Sequence, residues 1–400
     1  MKKKTNIVWL HSHFLYWMGG TKFIHQVIKE MKKSANIGSI YIIVENKSDF
    51  AKKQYKDLGV ELISLNSLTS TSPIYWVFLS LFIINDYLKI RNIFIKKKIK
   101  SNNTVVISSM FPMSFIAYLL GFKHIQNCYE PFAFFYDKYF ISQFSLIKKI
   151  FVHILSFIYS PFDKFATKKA NLVLTLNNTT QKMIKKVYSL SSKKTQAGVN
   201  SLLFKPYISS KIRKKYQGKK VAIHSTDYSP VKGTDLVIKA FAKAAKSIPK
   251  ARLLITTTIE DKERKLILKN LAKKLKVGDK VKFLGFLPIK ELPQYYSLAN
   301  VMIQGAFSEN SGTTSMSLPI KEAMCCETPA IRPNVGGEDV EDNKTGFLVV
   351  PRDTDLLAEK IKILLLDKKL SKKMGKKARV FIKNKYTWQN TANVFIKSCH

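Results

Sequence analysis

Short β-branched apolar runs alternate along this chain with stretches in which apolar residues recur every three or four positions. Residues 6–10 (NIVWL) predict a buried strand, and residues 21–31 a helix with Phe23, Ile24, Val27, Ile28 and Met31 on one face. Further runs at 39–44, 60–65, 104–108 and 172–176 predict strands, with helical stretches between them. The pattern returns later in the chain. Strands are expected at 221–224, 251–256, 281–284, 301–303, 330–332 and 347–350, and helices at 261–275, 289–298 and from near Ser317. Strand–helix alternation of this kind argues for parallel sheets covered by helices on both faces. No internal repeat is evident beyond the two similar halves.

Two segments carry unusually many aromatic and aliphatic residues. Residues 73–95 are apolar in their first half, then meet Asn85, Asp86 and a basic tail; residues 140–169 interleave Phe, Ile and Leu with Lys. Helical spacing of this kind usually marks a long core helix, though it also fits an amphipathic helix lying on a membrane. The longest uninterrupted apolar run, around 74–84, falls well short of the ~20 residues of a spanning helix. The start, MKKKTNIVWLHSHF, is basic, but its apolar run is short and precedes His11 and His13, so it reads as a first core strand and not a leader.

Composition adds a charge constraint. Four hundred residues suit two domains, and 46% apolar content is enough to build cores for both. Lys and Arg number 68 against 27 Asp and Glu, a formal net charge of +41, yet only seven of the 68 are Arg. Arg is the usual bidentate reader of bases and phosphates, so a diffuse lysine excess fits a coding bias, or a surface attracted to anionic lipid, better than sequence-specific nucleic-acid recognition. No nucleic-acid partner is expected. Cys128, Cys325, Cys326 and Cys399 form no C-x-x-C pair, which suits a reducing compartment. A cytoplasmic protein, peripheral on the inner face of the cell membrane at most, is the expectation.

The most informative stretch is GAFSENSGTTSMSLPIKEAMCCETPAIRPNVGGEDVEDNKTGFLVV, residues 305–350. A Ser, Thr and Gly loop feeds a helix that carries Pro319 in its first turn, where a missing N–H does no harm. The N–H groups around Met316, Ser317 and Leu318 are therefore a ready anion site. Glu322 lies about one turn further in. Phosphate on the N–H groups and a ribose diol on the carboxylate would together describe a nucleotide.

The run KEAMCCETPAIRPNVGGEDVEDNKTGFLV resembles the C-terminal signature of the family 4 (group 1) retaining glycosyltransferases of GT-B fold, over about thirty positions in the same order and spacing. The resemblance extends through most of the chain. HSHFLYWMGGTKF matches the family's paired-glycine loop at Gly19 and Gly20, and NCYEPFAFF its segment at the sugar-facing end of the first domain. QAGVNSLLFKP matches the entry to the second domain, STDYSPVKGTDLVIKAFAKA the turn bearing Lys232 and Gly233, and YTWQNTANVF the last helix.

The family likeness implies an α/β GT-B architecture, two Rossmann-like domains facing across a cleft. Residues 1–200 would form the acceptor-side domain, with the helix at 386–400 packing back on it, and residues 201–385 the nucleotide-sugar domain. It also implies transfer of a sugar from a nucleotide-diphosphate donor to a lipid-linked or glycan acceptor, with retention. The donor is a co-substrate; no cofactor and no metal are expected. Lys232, Tyr129 and Glu130 stand at the catalytic positions. Gly19, Gly20, Gly233, Thr314, Met316, Ser317, Leu318 and Glu322 stand at the donor-binding ones.

Three positions depart from the family pattern. Tyr129 replaces a His, Asp227 replaces an Arg five residues before Lys232, and Thr314 replaces a Glu eight residues before Glu322. Two readings follow: an active transferase with an adjusted donor site, or a catalytically weak homologue that binds a partner or polysaccharide. Asp353 and Asp355 superficially form a D-x-D pair. They sit just before an apolar-periodic run, LLAEKIKILLL, and are expected to cap a helix.

Overall fold

The structure, a computed structural model, describes residues 4–17, 19–257, 259–306, 317–335 and 338–400, without the Tyr139 side chain. Contacts divide the chain into a first unit of Met1–Gln196 with Trp388–His400, and a second unit of Ala197–Glu309 and Thr314–Thr387.

In the first unit the order is β1 (Thr5–Phe14), α1 (Gly19–Met31), β2 (Ile37–Lys47), α2 (Asp49–Asp57), β3 (Glu61–Ser64), α3 (Pro73–Val77) and α4 (Leu79–Lys96). There follow β4 (Thr104–Ser108), α5 (Met113–Leu119), β5 (Lys123–Asn127), α6 (Ala133–Tyr136), α7 (Lys138–Ser142), α8 (Leu146–Lys169), β6 (Leu172–Thr175), α9 (Asn178–Tyr188) and β7 (Lys193–Lys194). Among the described residues the strands form one parallel sheet in the order β3-β2-β1-β4-β5-β6-β7. Alternation along the central β1 sends Val8 and Leu10 into a cluster with Tyr75, Ile83, Ile116 and Leu155. Trp9, pointing the other way, meets Phe395 at 5.3 Å between ring centroids. Phe395 belongs to the C-terminal helix of the chain, which packs beside α1.

The strand β5, sequence KHIQN, lacks the β-branched run expected of a buried strand, and no strand range was expected there. Its polar side chains are nevertheless buried, and His124 is tied in on both sides: its Nε2 lies 2.7 Å from Ser108 Oγ, and its amide donates to Asn171 Oδ1 at 2.7 Å.

The second unit runs α10 (Ser210–Lys215), β8 (Lys220–Thr226), α11 (Thr234–Ala245), β9 (Ala251–Thr257), α12 (Lys262–Lys274), β10 (Val281–Phe286), α13 (Leu292–Leu298) and β11 (Val301–Ile303). It continues with α14 (Leu318–Cys325), β12 (Ala330–Pro333), β13 (Gly346–Val349), α15 (Thr354–Leu366) and α16 (Lys368–Lys385), and α17 (Trp388–Cys399) returns to the first unit. The sheet order is β10-β9-β8-β11-β12-β13, all parallel. This is the order 3-2-1-4-5-6 of a dinucleotide-binding fold, with its switch point between β8 and β11. Phe241, Leu268 and Ile361 fill one side of the sheet; Tyr296, Met324 and Ile382 fill the other.

The helix expected at 289–298 begins later, at Leu292, with Pro293 in its first turn. Asp353 caps α15, accepting from the amides of Asp355 and Leu356 at 3.0 and 2.8 Å.

Candidate functional site

The carboxyl ends of β8 and β11 open the sheet of the second unit at its switch point, where ligands of such folds bind. Two loops leave from here and touch. Gly233 adopts φ +62°, a left-handed conformation that ends the short turn Pro230–Lys232 and starts α11. A Cβ built on Gly233 would lie 2.1 Å from the Gly305 carbonyl oxygen, and one on Gly305 would lie 2.4 Å from the Gly233 oxygen. Only glycine satisfies both the dihedral and the approach. The contact fixes the Lys232 turn against the loop that follows β11.

Lys232 Nζ lies 3.8 Å from Asp227 Oδ2, and both side chains are partly exposed. Asp227 Oδ1 accepts from the Ser229 amide at 3.0 Å and from the Ser229 hydroxyl at 2.5 Å. The residue that replaces the family's Arg therefore folds the Lys232 turn on itself, one oxygen held by Ser229 and the other facing the ammonium. At 3.8 Å and part-exposed, such an ion pair contributes about 0–1 kcal/mol.

Beneath the turn sits a buried polar chain. His224 Nδ1 is 2.9 Å from the Ile303 carbonyl and its Nε2 is 3.0 Å from Thr234 Oγ1, which is itself 2.9 Å from Thr226 Oγ1. Burial lowers the His224 pKa to about 4, so the ring is neutral near pH 7. With the backbone carbonyl accepting from Nδ1–H, Nε2 accepts from Thr234.

The helix α14 opens beside this site. Ser317 is its N-cap residue, its side chain makes no cap hydrogen bond, and Pro319 occupies the first turn. Ser317 and Leu318 are both buried. Glu322 follows one turn later, and its Oε2 accepts from the Tyr296 hydroxyl at 3.3 Å. That hydroxyl also shares a hydrogen bond with the Ser225 side chain at the end of β8. Burial, with the Glu322 charge next, holds the Tyr296 pKa well above the ordinary tyrosine range. Tyr296 thus remains a donor and aims the carboxylate. Lys321, on the opposite side of α14, is buried and lies 3.8 Å from Asp339, which also pairs with Arg332. These three residues anchor α14 and the loop before β13.

Sequence reasoning placed Lys232, Gly233, Ser317, Leu318 and Glu322 at one site. All lie in the second unit, on loops and a helix end around the same switch point. Thr314 and Met316 lie outside the described residues, as does the Gly336–Gly337 turn. Tyr296, Ser225, His224 and Thr234 were missed. Their partners are up to 79 residues away in the chain, and no local pattern joins them.

The remaining site residues belong to the first unit. Gly19 and Gly20 open α1 after β1. Tyr129, on the loop after β5, directs its hydroxyl at the Gly20 carbonyl at 3.4 Å and packs edge-on against Phe23. Desolvation pushes the Tyr129 pKa above the ordinary range. Its phenol is a neutral hydrogen-bonding group and not a base. Glu130 follows on the same loop. His11 on β1 and His124 on β5 are buried and held neutral, with pKa values lowered to about 3 and about 4 by burial.

The sheet order, the glycine crossing and the carboxylate one turn inside a helix come together on a GT-B fold. Residues 208–381, most of the second unit, match the family described as glycosyl transferases group 1. It is 28% identical over 203 residues to a GDP-mannose-dependent alpha-(1-6)-phosphatidylinositol monomannoside mannosyltransferase of Mycobacterium tuberculosis, covering 49% of this chain and 52% of that protein. The chain spans about half the length of the curated relatives it matches. Solved structures share the fold across nearly the whole chain. A glycosyltransferase from Rickettsia africae superposes with TM-score 0.74 at 18% identity, covering 99% of this chain and 98% of its own. HepE of Anabaena, in complex with UDP and glucose, gives 0.72 at 16% identity, covering 98% and 99%.

Proposed function

We propose that this chain transfers a sugar from a nucleotide-diphosphate donor to a lipid carrier or growing glycan, with retention of anomeric configuration. The observation that carries the reading is the switch-point site of the second unit. Its Gly233–Gly305 contact holds the Lys232 turn, and Tyr296 aims Glu322 from the first turns of α14. In this reading Glu322 accepts from the ribose hydroxyls. The amides at Met316, Ser317 and Leu318 and the Lys232 ammonium meet the diphosphate. Charge develops on the departing diphosphate, so fixed donors and a cation there lower the barrier. Gly19, Gly20, Tyr129 and Glu130 would serve the sugar and the acceptor. A bilayer-bound acceptor would be met at an anionic membrane surface on its cytoplasmic face. A relative that uses GDP-mannose and a phosphatidylinositol mannoside supports the donor class and a lipid acceptor.

Calorimetry with UDP and GDP sugars tests the site. Glu322→Ala and Lys232→Ala are each expected to weaken nucleotide binding by about 1–3 kcal/mol, the scale of a lost charged hydrogen bond. Unchanged affinity in both variants would remove this site from consideration. Product anomeric configuration, read by NMR, tests retention.

Asp227 supports a second reading, a homologue that binds without turnover, because it places a carboxylate where the family has a cation. The two readings separate on Asp227→Arg and Thr314→Glu. Turnover by the native chain with any donor supports the transferase; activity that arises only in the double variant supports the binding protein.

A further inference from the structure

The outer face of the first unit carries an apolar surface that its own core does not use. On α8, Val152, Leu155, Asp163 and Ala166 point inward. Ile147, Ile150, Ile154, Phe157, Ile158 and Phe165 recur at the same three- and four-residue spacing on the opposite side, and all are exposed, Phe157 by 85% and Ile147 by 82%. The helix α4 repeats this arrangement. Leu79, Ile83, Ile90 and Phe94 are buried, while Leu81, Ile84, Leu88 and Ile95 form a regular stripe facing solvent. A hydrogen bond of 2.7 Å between Ser80 and Tyr159 joins the two helices. A helix apolar on both sides belongs in a large core or against lipid, and clustered exposed apolar residues mark an interaction surface.

Charge selects the occupant. Within residues 73–100 and 138–169 the acidic residues are Asp86 and Asp163, and both are buried, exposed by 2% and 1%. Asp86 is held by Ser67, and Asp163 by the hydroxyls of Tyr136 and Tyr188 at 2.9 Å. The exposed charges are cations. Lys164, Lys168 and Lys169 flank the α8 stripe, and Arg91, Lys96 and Lys98 surround the end of the α4 stripe. Long lysine stems let the ammonium reach phosphate while the neighbouring apolar side chains enter the acyl boundary. A second copy of the chain would bring like charges together; an anionic lipid surface neutralises them. No helix among the described residues is long and apolar enough to cross a membrane, so the contact is with one leaflet.

We propose that the outward faces of α4 and α8 form a docking surface for an anionic lipid bilayer, with the Ile147–Phe157 stripe inserted at the headgroup boundary. This inference stands apart from the transferase reading and does not require it.

The test is flotation of the full chain with vesicles of phosphatidylcholine alone and of phosphatidylcholine with phosphatidylglycerol, across a salt series. Wild type is expected to float with the anionic vesicles, less as salt rises. The variant Ile147→Glu with Phe157→Glu is expected to lose about tenfold in partitioning, because two exposed apolar side chains leave the acyl boundary, with no change in melting temperature. Three results would overturn the proposal: no flotation of wild type with anionic vesicles at low salt; equal flotation of the variant, meaning attraction by diffuse positive charge alone; or a wild-type dimer in sedimentation velocity that the variant splits.

Discussion

The two units share one strand order around their central strands and differ in what covers the sheet. In the second unit, α16 (KKLSKKMGKKARVFIKNK) buries Met374, Ala378 and Ile382 and turns lysines outward. In the first unit, α8 buries a comparable stripe and turns a second apolar stripe outward. The difference extends to the loops at the carboxyl ends of the strands. Gly233 in the second unit is locked by dihedral and contact. Gly20 in the first is helical, and a Cβ there would meet the Tyr129 ring at an ordinary 3.8 Å. One unit has its site fixed by backbone packing; the other leaves space beside its glycines and an apolar face uncovered. The same strand order thus carries a locked glycine crossing in one unit and an uncovered apolar face in the other.

Substitution of the two glycines gives the largest contrast. Gly233→Val is expected to destabilise the second unit by about 3–5 kcal/mol, from a strained positive φ and overlap with the Gly305 carbonyl. Gly20→Ala should stay within about 0.5 kcal/mol of wild type. Guanidinium unfolding followed by circular dichroism reads both, and equal losses would break the comparison.

Acid is the next lever. Burial lowers His11 to about 3 and both His124 and His224 to about 4, from 6.5. Above pH 6.5 each ring is neutral in folded and unfolded chains and stability does not change. As pH falls from 6.5 toward about 4, the unfolded chain takes up protons that the folded chain refuses, so stability is lost across that window, on the order of 1–3 kcal/mol per imidazole. Two of the three rings lie in the first unit, where burial also raises the carboxyl pKa of Asp163 to about 6 and raises those of Asp86 and Glu45, changes that act in the opposite sense, so the imidazole share is read by substitution. His124→Gln should flatten the dependence in the first unit, and unfolding midpoints against pH check it.

Smaller effects sharpen the site. Tyr296→Phe removes the donor that aims Glu322 and should weaken nucleotide binding by about 1 kcal/mol in calorimetry. Tyr129→Phe, in the first unit, should leave nucleotide affinity unchanged and act on sugar transfer alone. A matching loss of affinity in both variants would assign the nucleotide to both units equally.

Much of this was legible in the sequence because it is local. Strand β4 was expected at its observed bounds, and β1, β8 and β9 within a few residues, because β-branched runs between turn residues state their own period. That Lys232 and Gly233 sit on a turn, and Ser317, Leu318 and Glu322 at a helix start, was legible because both features are set by neighbouring residues. The strand β5 was not legible. Its His124, Gln126 and Asn127 look like surface residues until the sheet supplies partners such as Ser108.

What the sequence determined by itself was therefore most of the elements, their alternation, and the placement of Gly233, Lys232 and Glu322 on a turn and a helix start. Tertiary structure decided which glycine is indispensable, since the Gly305 carbonyl that excludes a side chain at Gly233 is 72 residues away. It decided that Asp227 is absorbed by Ser229 and Lys232, and that Tyr296 aims Glu322. It also decided which of two equally periodic apolar stripes on α4 and α8 enters the core. Periodicity is a property of one element, whereas burial needs a second surface, and only the folded chain supplies it.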